Sequence, residues 1–466
     1  MPTRPPPHTP ATGSIWVLWT LAIGFVMAMI DVTAVNVALP DIALNLSVPL
    51  TGLVWVVDGY TLTFAALLLA GGALADRFGP KTVYQGGLAV FLLGSVLCGL
   101  ATSGTGLIAA RLLQGAGAAL FMPSSLSLLT HAYEDDRTRA RILGIWSAMV
   151  GAASAVGPLV GGILVHSYGW RSVFWVNLPL GLLGIVLAQV LIAATPRQPR
   201  ALSLLSHAFG VLILTALSFF LIEGPTLGWG SAPVVAAAVV AVAAALALVQ
   251  RERTGAHPLL PRALLHTAGF GAANMTGFLI NFAVFGQLFL LSLYLQQARS
   301  ADALQAGLQL LPMMAAFTVG NLASGRISAR VGTRKPMLVG LGVAALATVA
   351  LVGVRLHTPY PVLLLGLIVV NLFVAVAIPA MTTTVMQISG RTYANSAAAA
   401  LNANRQIGAL VGVALVGTIL HTVPDWNLRL PLAFAAFALA YGLASLLVYR
   451  FVATPQAQIP CAVKTA

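Results

Sequence analysis

Asp31, Asp58 and Arg111 are ionisable residues set inside runs that are otherwise apolar. Asp31 lies near the middle of GFVMAMIDVTAVNVALP, Gly24 to Pro40; Asp58 follows in WVVDGYTLTFAALLLAGG and Arg111 in ARLLQGAGAALFMP. About 20 apolar residues cross the hydrocarbon core of a bilayer. A charge inside such a run is costly, so it marks an ion or substrate path or a paired structural site. Counted along helices at ~1.5 Å per residue, the three residues lie within roughly one turn of each other in depth. One cluster of both acids with Arg111 is therefore the economical arrangement. Burial disfavours a charged acid and a neighbouring guanidinium favours it, a balance that suits a carboxylate loading and unloading a proton. The alternative is a static ion pair stapling three helices.

Further groups within apolar runs are candidates for lining a substrate cavity: Asn36, Gln114, Trp146, Asn281, Phe285, Asn371 and Arg405. Glu223, in LIEGP at the end of the seventh run, reads as a residue reaching for the interface. In GAASAVGPLVGG, Gly151, Gly157, Gly161 and Gly162 surround Pro158. Small residues permit close helix contact and Pro removes a backbone donor; ordinary packing is the competing explanation. The loop GGALADRFGPK holds Gly72, Asp76, Arg77, Gly79 and Lys81, and SGRISARVGTRKPM repeats it with Arg326 and Arg330 but has Ser328 where Asp76 stands. An acid and an Arg at helix termini can latch two ends together, or the loops are tight hydrophilic turns. No His, Cys and carboxylate set has metal-ligand spacing, and no nucleophile–base pair stands at useful spacing. An enzyme, a metal and a cofactor are not expected.

These residues must be positioned by membrane spans. Of the 466 residues 59% are hydrophobic and 8% charged, where a soluble protein averages about 25% charged. Fourteen apolar segments read as helices, because lipid tolerates helices or closed barrels and these runs are too long for barrel strands. The expected fold class is an all-α polytopic membrane protein. The hardest segments are 204–223 and 231–249; the second is nearly all Ala and Val, which suits a helix packed by shape. Two loop copies eight spans apart, and the match of Pro123 in span four to Pro379 in span twelve, indicate repeated halves. The expected organisation is a disordered head at 1–14, a six-helix bundle at 15–200, two additional helices and a linker at 201–262, a second six-helix bundle at 263–453 and a tail at 454–466. Repeated halves meeting at a midplane site are the usual plan of a secondary transporter.

The net charge of +13 takes a topological reading, since Lys and Arg collect on cytoplasmic loops. With the N-terminus inside, 18 of the 24 Lys and Arg fall on the inner side and 4 on the outer, Arg111 and Arg405 being within spans. Both termini are thus expected in the cytoplasm, with the excess charge facing anionic lipid. No basic helix or aromatic-interleaved patch suggests nucleic acid, and no removable signal peptide is read at the N-terminus.

IDVTAVNVALP, GGALADRFGPK, RLLQGAGAALFMP and GAASAVGPLVGG resemble the first-helix, loop, fourth-helix and fifth-helix signatures of the major facilitator superfamily, in its fourteen-span drug:proton antiporter branch. The resemblance implies a major facilitator fold with 14 transmembrane helices in the cell membrane. It also implies proton-driven efflux of a lipophilic drug or antibiotic through one cavity by alternating access, the chain acting as a monomer with protons and the lipid bilayer as its other partners. It carries the proton-coupling role to Asp31, Asp58 and Arg111, the latch role to the loop residues and the antiport role to the Gly151–Gly162 segment. Pro80 departs from the pattern, where an Arg is common, and spans nine to fourteen hold no carboxylate, which argues for a neutral or weakly charged antibiotic at least as well as for a cation. Alternatives are a proton-coupled importer of a small solute and a membrane scaffold or sensor without flux. The topology is directly testable. An impermeant thiol reagent should leave Cys461 unlabelled in intact cells and label it in inverted vesicles; labelling in intact cells would reverse the orientation.

Overall fold

The computed structural model describes residues 15–133, 135–193, 204–254, 264 and 267–452. The expectations for the head at 1–14, the tail at 454–466 and the linker residues 255–262 lie outside the described residues. Among those described, 14 helices are long and apolar enough to cross a membrane. They are α1 (Ile15–Leu46), α2 (Leu50–Phe78), α3 (Pro80–Leu100), α4 (Gly104–Ala132), α5 (Asp136–Tyr168), α6 (Ser172–Leu191) and α7 (Leu204–Leu227). The series continues with α8 (Ala232–Thr254), α9 (Gly269–Ala298), α10 (Ala303–Val331), α11 (Arg334–Leu351), α12 (Tyr360–Gly390), α13 (Ser396–Thr422) and α14 (Trp426–Phe451).

Many helices outrun their hydropathy signal. At ~1.5 Å per residue the 32-residue α1 is about 48 Å long, well beyond the hydrocarbon core. The helices α12 and α13 belong to one helical stretch, Tyr360–Thr422, interrupted at Gly390 with φ 62°. Because the number of spans is even, Ile15 and Phe451 lie on the same face, called here the terminal face; the other is the distal face.

In the first half α2 and α3 pack on α4, and α1 packs on α5 and α6. In the second half α9 packs on α13 and α14, while α10 and α11 pack on α12. Hydrocarbon offers no hydrophobic drive between helices, so contact depends on shape and small residues. Gly115 on α4 shows the closeness: a Cβ there would stand 2.2 Å from the Tyr60 carbonyl oxygen of α2. On the other side of α4, a Cβ on Gly117 would stand 2.4 Å from the Phe91 nitrogen of α3.

The halves meet through α5 against α10 and α2 against α13. A Cβ on Gly162 of α5 would lie 2.6 Å from the Ala303 carbonyl oxygen, and one on Gly307 of α10 would lie 2.5 Å from that of Pro158. On its other side α5 touches α1, where Gly157 and Gly161 face Thr33 and Ala34. The helix is a wedge between its own bundle and the other. At the second seam Gly417 of α13 faces Val54 of α2, and Gln296 of α9 donates to the Val37 carbonyl of α1 at 3.0 Å. These approaches all lie in the distal half of the membrane.

The inserted helix α7 packs along the α2–α13 seam, with Leu214 among Leu62, Ala65 and Leu410 and Thr226 hydrogen-bonded to Thr51 at 2.8 Å. The helix α8 packs on α7, and its Val235, Val239, Val242, Leu246 and Val249 are exposed. The Ala/Val helix packs on α7 and leaves its other sides exposed: small apolar residues serve either environment, and composition alone does not separate them.

The wedge yields a prediction. A Cβ on Gly157 would stand 1.8 Å from Thr33 Oγ1, whereas one on Gly151 meets nothing within 4 Å. Gly157→Leu should abolish transport while the protein still reaches the membrane, and Gly151→Ala should be tolerated. Normal transport by Gly157→Leu at normal expression, in a resistance assay with quantified membrane protein, would remove the close-contact role.

Candidate functional site

The interior of the first bundle holds a ring of hydrogen bonds around Asp31. Oδ2 of Asp31 accepts from Arg111 Nη1 at 2.6 Å. Oδ1 accepts from Gln114 Nε2 at 2.9 Å and from Asn177 Nδ2 at 2.8 Å. Arg111 Nη1 also donates to Gln114 Oε1 at 2.6 Å, and its Nε donates to the Val56 carbonyl at 3.0 Å. Ser95 Oγ accepts from Gln114 Nε2 at 2.9 Å and donates to the Phe91 carbonyl at 3.0 Å. The guanidinium carbon stands 4.6 Å from the Tyr60 ring centroid. Asp31 and Gln114 are 0% exposed and Arg111 is 1% exposed, so no water compensates these charges.

Five helices supply this ring, and small residues bring them together. Gly94 on α3 lies so close to Gln114 that a Cβ would stand 2.8 Å from its backbone nitrogen, which sets the neighbouring Ser95 within reach of the Gln114 amide. One turn earlier on α4, Arg111 reaches across to α2 and α1. Asn177, near the start of α6, completes the set. The result is a charge-assisted network with the anion bonded by three donors. Breaking such a buried pair from one side leaves an uncompensated charge.

Asp58 does not join the network, which corrects the expected three-residue cluster. It is 0% exposed, and neither carboxylate oxygen has a hydrogen-bond partner. On α2 the residues facing α4 are Val56, Gly59 and Tyr60. Asp58 instead shares a face with Val54, set against Gly417 of α13, and with Leu62, packed among Leu214 and Leu410. It therefore stands at the seam where α2, α7 and α13 meet. Its depth matches that of Asp31, but its direction is opposite.

Other sequence candidates are distributed as follows. Gln114 is consumed by the Asp31 ring and does not line a cavity. Asn36, Asn281 and Asn371 are buried, and each donates its amide to a carbonyl four residues earlier in its own helix, at 2.8, 2.9 and 2.9 Å. Such back-bonding satisfies an amide nitrogen that lipid would penalise, while Asn36 Oδ1 is buried without a partner. Trp146 packs edge-on against Phe25, centroids 4.5 Å apart, and Phe285 packs against the main apolar core. Glu223 does more than reach for the interface: its Oε1 accepts from Trp55 Nε1 at 2.8 Å, tying α7 to α2.

In the first loop Gly79 has φ 93°, in the second Gly332 has φ 77°, the region glycine adopts without strain. Matching the two places Arg77 with Arg330, and Ala329, not Ser328, opposite Asp76. Pro80 occupies the first turn of α3, where a missing N–H costs nothing. Lys81 donates to the Gln189 and Ile192 carbonyls at 3.1 and 2.7 Å, so it caps α6 within its own bundle. Arg77 lies 5.5 Å from the Phe78 ring centroid, a Cβ on Gly72 would meet open space, and Arg326 and Arg330 are exposed.

Residues 21–413 match the model of the Major Facilitator Superfamily. The chain belongs to that family. This major facilitator protein is 48% identical over 446 residues to the methylenomycin A resistance protein of Bacillus subtilis (strain 168), covering 96% of each chain. It is 47% identical over 436 residues to the methylenomycin A resistance protein of Streptomyces coelicolor, covering 94% of this chain and 92% of that one. Its fold matches the xylose transporter XylE from E. coli with a TM-score of 0.67 at 13% identity, over 95% of this chain and 97% of the other.

Asn177 and Ser95 went unread in the sequence, although an amide in an apolar span is itself a signal for a buried polar partner. The two carboxylates should behave differently on neutralisation. Asp31→Asn deprives Arg111 of its acid and should cost about 3–5 kcal/mol. Asp58→Asn breaks no bond and should unfold near the wild-type temperature. Thermal unfolding of the purified proteins in one detergent checks this; equal losses would show that Asp58 has a structural partner.

Proposed function

We propose that this multi-pass membrane protein is a proton-coupled antiporter that exports a lipophilic drug or antibiotic across the cytoplasmic membrane. The observation that carries the reading is its 48% identity, over 96% of both chains, to a protein named for methylenomycin A resistance. Methylenomycin A is thus the first compound to test. The terminal face is cytoplasmic, on the strength of the charge bias in the loops. Residues 15–200 and 263–453 act as the two moving bundles; within 201–262, α7 rides along the α2–α13 seam with α8 packed on it.

Protons pass through Asp31 and Asp58. For Asp31, taking up a proton removes the anion on which Arg111, Gln114 and Asn177 converge. Protonation there loosens the joint between α1, α4 and α6, and α1 bears directly on the wedge helix α5. A titration inside one bundle is thereby linked to the distal seam between bundles, where α5 must part from α10 to release drug outward. The loops around Asp76 and Arg330 brace the cytoplasmic ends in the opposite state. The membrane potential contributes about 2.3 kcal/mol per charge per 100 mV to each inward proton, enough for a useful gradient with one or two protons.

The test uses protein reconstituted in proteoliposomes with an imposed pH gradient. Methylenomycin A should release protons through the wild-type protein, and expression in an efflux-deficient host should confer resistance. Asp31→Asn should remain in the membrane and lose uphill export, because Asn keeps the shape but not the choice of charge. Drug-dependent proton release by Asp31→Asn at the wild-type rate would place the coupling carboxylate elsewhere.

A further inference from the structure

Two arginines lie deep in the described spans, and their surroundings are opposites. Arg111 has an acid, an amide oxygen and a backbone carbonyl as acceptors. Arg405, on α13, has none: its Nε is buried without a hydrogen-bond partner, and among the described residues no ion pair or hydrogen bond reaches its guanidinium.

The chain has prepared room for this side chain. A Cβ on Gly277 of α9 would stand 3.2 Å from Arg405 Cγ and 3.3 Å from Met381 Sδ of α12. The absent side chain at Gly277 is what lets the arginine stem lie between α9, α12 and α13. One turn later Gly408 of α13 lies against the Phe278 backbone of α9, whereas Leu410 turns the other way, toward Leu62 of α2 and Leu214 of α7. Arg405 is thus on the side of α13 turned toward the rest of its own bundle rather than toward the inserted helix.

No acid in this half is placed to answer it. Between residues 268 and 451 the carboxylates are Asp302 and Asp425, and both are spent at the distal ends of helices, accepting from the backbone nitrogens of Gln305 and Asn427. The amides of Asn404 and Asn281 turn their Nδ2 donors to the Asn274 and Gly277 carbonyls, at 2.6 and 2.9 Å, and neither Oδ1 accepts from Arg405. A guanidinium does not shed its proton to escape the cost of burial, and an unpaired charge at this depth marks a functional site. The side chain is half-buried rather than sealed, so an anion entering from outside the chain can reach the fork and supply the missing partner.

We infer that Arg405 binds a negatively charged group of the transported molecule, and that the substrate class is a small lipophilic carboxylic acid carried as its monoanion. The planar fork of donors matches the two oxygens of a carboxylate. This deepens the antiport reading and rests on it for the word transported. It has a further consequence: exchanging an outgoing monoanion for an incoming proton moves two charges in the same electrical sense per cycle. Export should then accelerate with an interior-negative potential, unlike that of a monovalent cation, whose exchange for one proton is electrically silent.

The experiment uses purified full-length protein in low-chloride detergent buffer and three probes sharing one ring: cyclohexanecarboxylate, cyclohexanecarboxamide and cyclohexylammonium. The wild-type unfolding temperature should rise with the acid and rise less, or not at all, with the amide and the ammonium. Arg405→Gln should weaken the response to the acid by roughly tenfold or more, and Arg405→Lys should keep part of it. Without ligand, Arg405→Gln should unfold at or above the wild-type temperature, since it breaks no hydrogen bond or ion pair; a marked loss would mean a structural arginine and overturn the inference. So would an acid effect no larger than that of the amide, or one retained in Arg405→Gln. Sodium chloride matching the acid at equal concentration would reduce the site to a counter-ion site and equally overturn it. Because this binding is read without a gradient, it stands or falls apart from coupling: acid-selective binding that needs Arg405, in a protein with no uphill export, would sink the antiport reading and leave the anion site in place.

Discussion

A carboxylate and a guanidinium held 2.6 Å apart, both out of reach of water, dominate the physics of the first bundle. In hydrocarbon neither charge could be left alone, and each is anchored on a different helix. Satisfying both therefore dictates how α1 and α4 sit, and the remaining lone pairs of Asp31 recruit α3 through Gln114 and Ser95 and α6 through Asn177. The desolvation cost is offset because both charges are hydrogen-bonded, with Asn177 Oδ1 left without a partner. A network of this kind can hold one geometry well or change geometry when its central charge is cancelled. That dual capacity makes it a reasonable place to join proton binding to helix movement.

The second constraint is the distance at which helices touch. Glycines on α4 admit backbone contact from α2 and α3, and those contacts aim Arg111 and Gln114. Glycines on α5 admit contact with α1 on one side and α10 on the other. The same helix that leans on the Asp31-bearing span thus carries the seam between bundles. Between well-packed helices without large side chains, a small displacement on one side is passed to the other, since no soft layer absorbs it.

The halves share a plan but not a charge distribution. Both loops turn at a glycine with positive φ, and both fourth-position helices contain an interior proline. Yet the first half encloses an acid with its arginine, and the second presents an arginine without an acid. On the proposed reading two similar scaffolds carry different chemistry, titration on one side and anion attraction on the other. The inserted pair adds a third element, with α7 tied to α2 through Glu223 and Trp55 and α8 left to lipid.

Much of this was present in the chain before any packing was considered. The fourteen helices follow from local hydropathy, because lipid forbids unpaired backbone and leaves helices as the solution for runs of this length. The common depth of Asp31 and Arg111 follows from a fixed rise per residue, and the Gly–Pro segment of α5 announces close contact by its small residues. What the sequence does not carry is direction around the helix axis. A span apolar on all sides has no polar face to betray its orientation. At 3.6 residues per turn, Asp58 lies about 200° round α2 from the Val56 carbonyl that meets Arg111. Two residues of chain were enough to turn the Val56 carbonyl into the ring and the Asp58 carboxylate to the seam. Asn177 joined Asp31 across 146 residues of sequence, and Arg405 was left alone. Only the packing of helices against one another decided these pairings, because partners in a membrane are chosen by azimuth as much as by depth.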